Sequence, residues 1–263
     1  MPKVSVIMGV FNTPIKYVEK SINSILNQDY KDFEFIICND GCTDNTFEFI
    51  KEKYACNEKV VLIDNGENKG LAYTLNHCLE HAKGKYIARM DADDFSHNNR
   101  LREQVKILDN NTDIDLVNCN VNVFDDRGIY GERIYNEIIK KEDFLKNNPI
   151  VHPAVMFRKQ EIEKVGGYRD LPITLRNEDY DLFMRMYAIG TKMYTLQEKV
   201  FDFRENNDSY KRRKYKYRIN EFLVRLNGFK KLKLLPKGIV YAVKPLIVGL
   251  IPIKLIKRMR DGD

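Results

Sequence analysis

Short apolar runs alternate with amphipathic stretches through the first hundred residues. Residues 4–8, rich in β-branched side chains, and the apolar runs 33–38, 60–63 and 86–90 predict four buried strands. Between them, residues 15–27 carry Ile15, Val18, Ile22, Ile25 and Leu26 at helical spacing, with Pro14 at the helix start. Thr43 and Asp44 can cap a second helix that runs to about residue 54. A third spans 71–82 and is stopped by Gly84. Four strand–helix alternations with apolar strands predict an α/β fold: a doubly wound, mostly parallel central sheet covered on both faces. After a helix at 101–108 the pattern loosens. Residues 114–124 and 129–134 read as strands around the turn Asp126-Arg127-Gly128, which predicts a more antiparallel half. Residues 151–157 read as another buried strand. Residues 176–181 lead into a helix with Leu182, Phe183, Met186 and Tyr187 on one side.

Ligands of such sheets bind at the carboxyl ends of the strands. Four polar groups fall there: Gly9 to Asn12, Asn39 to Asp44, Asp64 to Lys69, and Asp91 to Asp94. The last is the most informative. Three carboxylates at the mouth of a strand repel one another, and desolvating them alone costs several kcal/mol. A hard divalent cation, Mg²⁺ or Mn²⁺, would compensate and leave coordination sites for phosphate oxygens. The competing reading is an acidic turn capping the helix that follows. Convergence of all four groups on one sheet edge favours the cation. No Gly-x-Gly-x-x-Gly follows the first strand and no P-loop occurs, so metal and side chains must meet phosphate charge.

Composition adds two facts. The net charge of +6 is unevenly spread. Residues 210–263 hold sixteen Lys or Arg against three acids, and residues 1–209 hold 28 against 35. A basic tail on an acidic body points to a polyanionic partner, an anionic membrane or a nucleic acid. Residues 239–256 interleave apolar side chains with Lys244, Pro245, Gly249, Pro252 and Lys254. That stretch is too broken for a membrane span and reads as a segment lying in the membrane interface. The alternative is a helix packed on the core with a basic outer face. The five cysteines form no Cys-x-x-Cys pair, which predicts reduced thiols and neither zinc nor disulfides. A strand directly after Met-Pro-Lys predicts no signal peptide.

Five motifs in order resemble glycosyltransferase family 2, inverting nucleotide-sugar enzymes of GT-A fold. They are Ser5-Val6-Ile7-Met8-x-Val10-Phe11-Asn12, Asp40-Gly41-Cys42-Thr43-Asp44-Asn45-Thr46, Asn68-Lys69-Gly70-Leu71, Met90-Asp91-Ala92-Asp93-Asp94 and Glu178-Asp179-Tyr180-Asp181-Leu182. The likeness covers about residues 3–205. It implies a catalytic domain at 1–207, with a nucleotide-binding half to about 110 and an acceptor half beyond, followed by a basic region at 208–263. It also implies a nucleotide-sugar site formed by Val10, Phe11, Asn12, Asp40, Lys69, Asp91, Ala92 and Asp93. Asp40 would accept a hydrogen bond from the base, most often uracil. Asp91 and Asp93 would serve the ribose and a Mn²⁺ or Mg²⁺ ion, and Asp179 would be the catalytic base. Without the resemblance, Glu178-Asp179 reads as acidic charge at a helix start.

His152, Glu178, Arg176 and Arg204 are candidate contacts to acceptor or phosphate. For His152, Arg176 and Arg185 the structural alternatives, a hydrogen-bonded core histidine and salt-bridge partners, stay open. The family often has a metal-binding His just after Tyr-Arg, where this chain reads Phe203-Arg204-Glu205-Asn206-Asn207; Asn206 or water would substitute. There is no Trp and no Gln-x-x-Arg-Trp, so one sugar per acceptor is expected. Similar tails in the family imply a polyprenyl-diphosphate-linked acceptor for O-antigen or capsule. The expected setting is cytoplasmic, peripheral on the inner face of the cell membrane, with a UDP-sugar donor and no nucleic-acid partner. A sugar-phosphate nucleotidyltransferase would want a Gly-rich basic loop after the first strand. A membrane- or nucleic-acid-binding module would leave the convergent acids unexplained.

Overall fold

The computed structural model describes residues 1–205 and 214–250. One nine-stranded sheet runs through the body. Its first part holds β1 (Val4–Val10), β2 (Phe33–Asn39), β3 (Val60–Asp64) and β4 (Tyr86–Arg89). These are parallel in spatial order β3-β2-β1-β4. The order reverses between β1 and β4, and such a switch point opens a crevice at the carboxyl ends. Register aligns those ends: Val10 stands opposite Asn39, and Asn39 opposite Asp64.

Alternation along the strands feeds two cores. Val4, Val6, Met8 and Val10 of β1 face α1 (Ile15–Leu26), α2 (Thr46–Tyr54) and α4 (Arg100–Asn110). Ile7 and Ile36 face the other way, toward α3 (Leu71–His81) and α6 (Glu178–Ala188). Both faces are therefore buried, as the uninterrupted apolar runs require.

The second half joins the same sheet through β5 (Phe95–Ser96), β6 (Leu116–Asp125), β7 (Gly128–Arg133), β8 (Met156–Arg158) and β9 (Met193–Arg204). Strand pairs β4–β8, β6–β8, β6–β7 and β5–β9 are antiparallel and β6–β9 is parallel. The expected strand at 151–157 is corrected: His152–Ala154 is a 3₁₀ turn and only Met156–Arg158 is strand. Pro153 lacks the N–H that a central strand must donate. A short helix α5 (Lys159–Lys164) follows β8.

The tail begins by packing on the body. Helix α7 (Tyr215–Lys231) lies against α6, where a side chain at Gly228 would collide with Met184. Val224, Phe229, Leu232 and Leu234 are buried in the second core. Helix α8 (Ile239–Leu250) packs on α7 through Ala242 and leaves Val240, Ile247 and Leu250 exposed. Residues 224–234 thus join the core, and α8 keeps an exposed apolar face. Among the described residues no helix is long and apolar enough to cross a membrane. The remainder of the interface segment predicted at 239–256 lies outside them, as does Asn206.

Candidate active site

A cavity of 1010 Å³ opens at the carboxyl ends of β1, β2 and β4. It gathers residues far apart in sequence. Val10, Phe11 and Asn12 line it from the end of β1, Asp40 from β2, Lys69 from the loop before α3, and Asp91, Ala92 and Asp93 from beyond β4. Arg176, Glu178 and Arg204 line it from the second half. Asp179 and His152 are not in its lining.

The nucleotide side is built by loops that fasten one another. Asn12 has φ 44°, a conformation Asn tolerates better than most residues. Its amide clasps Thr43: Thr43 N–H donates to Oδ1 at 2.8 Å, and Nδ2 donates to Thr43 Oγ1 at 2.9 Å. Asp40 accepts from Lys69 N–H at 2.8 Å, Gly70 N–H at 3.1 Å and Asn65 Nδ2 at 3.0 Å. It thus ties the end of β2 to the start of α3. Gly41 makes this approach possible. Its φ is +69°, and a Cβ there would lie 2.4 Å from Asn68 N.

The acidic turn is the electrostatic centre. Asp91 pairs with the fully buried guanidinium of Arg89, and its backbone oxygen accepts from Ser21 Oγ at 2.7 Å. Burial, then the Asp91 charge, push the Asp93 carboxyl up to about 6. Burial and the same neighbours push Asp94 well up as well. Asp94 Oδ1 accepts Arg204 N–H at 2.6 Å, while Oδ2 is buried without a hydrogen-bond partner. An orphaned carboxylate oxygen and mutual repulsion show negative charge in excess of its local compensation, which fits a divalent cation. No group of three or more His, Cys, Asp or Glu side chains is arranged around a metal position among the described residues. Asp91 and Asp93 would hold the ion with ligand and water oxygens completing it.

The opposite wall comes from the start of α6. Arg176 has φ 71° and acts electrostatically on Glu178. Burial, then the Asp179 charge, raise the Glu178 carboxyl to about 7, and its Oε2 is buried and unpartnered. Asp179 is pushed up by burial. Its oxygens accept Asn148 Nδ2 at 3.0 Å and Tyr180 N–H at 2.7 Å. His152 is 8% exposed, and its Nε2 bonds Tyr168 Oη at 2.8 Å. Burial, then Arg89, hold it well below the usual histidine range, and it packs in the core outside the cavity lining. Arg185 is spent on Asp181 at 2.7 Å and the carbonyls of Val165 and Gly167.

Arg204 does more than its motif position announced. It stacks 3.8 Å from the Tyr17 ring centroid and donates to Tyr17 Oη at 2.7 Å and Asp126 Oδ1 at 3.1 Å. Tyr17 also bonds Asp126. This triangle fixes the β6–β7 turn over the acidic turn. Sequence reading found Asp126 only as a turn residue and passed over Tyr17, because their meeting depends on β9.

Residues 5–166 match the family described as glycosyl transferase family 2. The chain is 39% identical over 259 residues to EpsE of Bacillus subtilis, a glycosyltransferase by name, covering 98% of this chain and 92% of that protein. It is 35% identical over 192 residues to the O-antigen biosynthesis glycosyltransferase WbnJ of Escherichia coli, covering 70% and 71%. Among solved structures, TarS of S. aureus with UDP-GlcNAc superposes at TM-score 0.73 and 17% identity, covering 92% of this chain and 73% of that one. The mannosyltransferase PcManGT of Pyrobaculum calidifontis with GDP-Man and Mn²⁺ superposes at 0.65 and 19%, covering 99% and 79%. At such identity the two structures speak for the fold, a GT-A sheet flanked by helices. The family match over most of the body and the high identity along nearly the whole chain carry the assignment: this chain belongs to glycosyltransferase family 2.

Proposed function

We propose that the chain moves a sugar from a UDP donor to a hydroxyl of a lipid-linked glycan, with inversion and one sugar per acceptor. The setting is surface-polysaccharide assembly, O-antigen or capsule, at the inner membrane face. One observation carries the reading: the strand-end loops and the start of α6 meet in a single cavity lined by Asp91, Asp93 and Glu178. WbnJ, named for O-antigen biosynthesis, supports polysaccharide building, and the structural neighbours holding UDP-GlcNAc and GDP-Man support a nucleotide-sugar donor.

Each residue has a task. Phe11, 45% exposed at the cavity, offers a face to the base, and Asp40 offers the oxygen lone pairs its own loop leaves over. Asp91 and Asp93 would hold Mn²⁺ or Mg²⁺, which would supply positive charge for the diphosphate leaving group. Arg204 and Lys69 add positive charge to the same wall. Asp179 takes the proton of the attacking acceptor hydroxyl, for which it must come within ~3 Å. Glu178 orients that hydroxyl or the donor sugar through its unpartnered oxygen.

The acceptor side suits an amphiphile. Arg169, Arg176, Leu171 and Leu175 line the cavity with Tyr217 of α7. Leu171 and Leu175 are exposed, and Asn220 of α7 donates to Pro172 O at 2.7 Å, tying this loop to α7. Gly249 of α8 lies against Arg218 and Tyr215 of α7. Helix α7 thereby joins the cavity to α8, whose exposed Val240, Ile247 and Leu250 we read as the contact with an anionic membrane. Screening UDP- and GDP-sugars for thermal stabilisation with and without Mn²⁺ tests the donor, since a bound ligand raises apparent stability even without turnover. Stabilisation by GDP-sugars alone would overturn the UDP reading.

A further inference from the structure

Arg89 closes β4, two residues before Asp91, and no side chain in the site is more deeply buried. Removing a guanidinium from water is costly, and an isolated one persists only when the surrounding charges require it. One nitrogen, Nη1, reaches Asp91. Nε and Nη2 are buried with no hydrogen-bond partner. Alternation along β4 sets Arg89 on the same face as Ile87, whose core includes α6, while Tyr86 and Ala88 belong to the opposite core. The charge therefore sits beneath the acidic turn, on the sheet face whose core includes α6.

Several groups register that charge. It acts favourably on the ionised forms of Asp93, Asp94 and Asp179, and against protonation of His152. Asp179 is faced by Asn148, by Tyr168 from the loop after α5, and by Glu178 and Tyr180 on its own helix. Beyond Tyr180 lie Arg225 and Glu221 of α7, paired with each other at 2.9 Å. Arg225 is occupied by that pair and by the carbonyls of Leu145 and Lys146. Arg89, by contrast, has two unspent donors.

We propose that Arg89 is a positioning residue shared by both halves of the site: one guanidinium holds Asp91 on the donor side and supplies the positive charge that Asp179 faces on the acceptor side. The inference rests on the catalytic reading above and adds a coupling to it. The same guanidinium competes with a cation for Asp91. Its removal frees Asp91 for metal while Asp179 loses a favourable neighbour. Cation affinity and turnover should then move in opposite directions, which loss of packing would not produce.

The test uses the full chain with Arg89→Met, which keeps length without charge, and Arg89→Lys, which keeps charge without the fork. Calorimetry with Mn²⁺ alone should show about tenfold tighter binding in Arg89→Met. The acid limb of its turnover at saturating donor should rise by about 0.5–1 pH unit, because a nearby cation favours the ionised carboxylate. Arg89→Lys should keep the wild-type acid limb. A folded Arg89→Met with unchanged or weaker Mn²⁺ binding and an unmoved limb overturns the proposal. If Arg89→Met fails to fold, Arg89→Lys decides: a limb displaced by 0.5 unit or more despite the retained charge overturns it. The wild-type chain is measured alongside; its failure to bind Mn²⁺ or turn over any nucleotide sugar would count against the catalytic reading and not against Arg89.

Discussion

Asp91 and Asp93 stand at the end of a strand, whereas Glu178 and Asp179 stand in the first turn of a helix. Asp91, Asp93 and Glu178 line one cavity, and Asp179 follows Glu178 just outside its lining. The helix start offers free N–H groups and a favourable dipole, and Asp179 uses them together with Asn148. The strand end offers fewer donors. Arg89 and Met90 N–H groups are committed to Val155 and Ile7, so the acidic turn leans on the Arg89 guanidinium and still holds Asp93 at about 6. Under the proposed function the difference divides the roles: the strand-end carboxylates would take an external cation, and Asp179, held by two donors, would act as the proton acceptor.

The largest effect should come from the helix pair. Asp179→Asn is expected to lower transfer by ~10²–10⁴ or more while donor affinity by calorimetry stays near wild type. Turnover close to wild type would remove Asp179 from the chemistry.

Next comes the strand pair. Asp93→Asn should weaken UDP-sugar binding by at least about tenfold when Mn²⁺ is present, and a chelator should do the same to the wild-type chain. Equal donor affinity with and without chelator would sink the cation's role and with it the contrast between the two pairs.

Glu178 sharpens the comparison, because it shares the helix start but lacks the partners of Asp179. Its carboxyl is raised in the folded chain to about 7 from an ordinary 4.5. The folded state therefore binds its proton more tightly than the unfolded one. Its contribution is full below about pH 4.5 and is lost as pH rises through about 7, by up to ~3 kcal/mol. Glu178→Gln should flatten the fall of Tm between pH 5 and 8 and raise Tm at pH 8 by a few degrees. A parallel pH profile in the variant would show that Glu178 ionises freely.

The smallest single effects belong to the tail. Replacing Val240, Ile247 or Leu250 by Ser should weaken binding to anionic liposomes by about 1 kcal/mol each if these side chains insert only partly. Replacing tail lysines by Gln should cost about 1 kcal/mol per charge and make binding less salt-sensitive. Unchanged flotation of a folded variant with all three apolar changes would argue that α8 faces another surface.

Much of the donor side follows from local pattern. Strands buried on both faces are apolar runs, and parallel strands joined by helices must end on one edge. Asp40, Lys69, Asp91 and Asp93 were therefore legible as a site before any fold was seen. Tertiary structure decided the rest. Strand β9 holds Gln197, Glu198 and Lys199 exposed at its middle, where the register against β6 shifts, so no apolar run announces it. Yet β9 brings Arg204 to Tyr17 and Asp126. His152 became a core residue because Tyr168, sixteen positions on, meets its ring. Gly228 became a helix contact because Met184 presses there. Arg89 lay in plain view inside a strand, but its worth depends on Asp91 and the start of α6 lying on either side. Local periodicity records which face of an element is buried, and contacts between elements distant in sequence decide which charges meet inside.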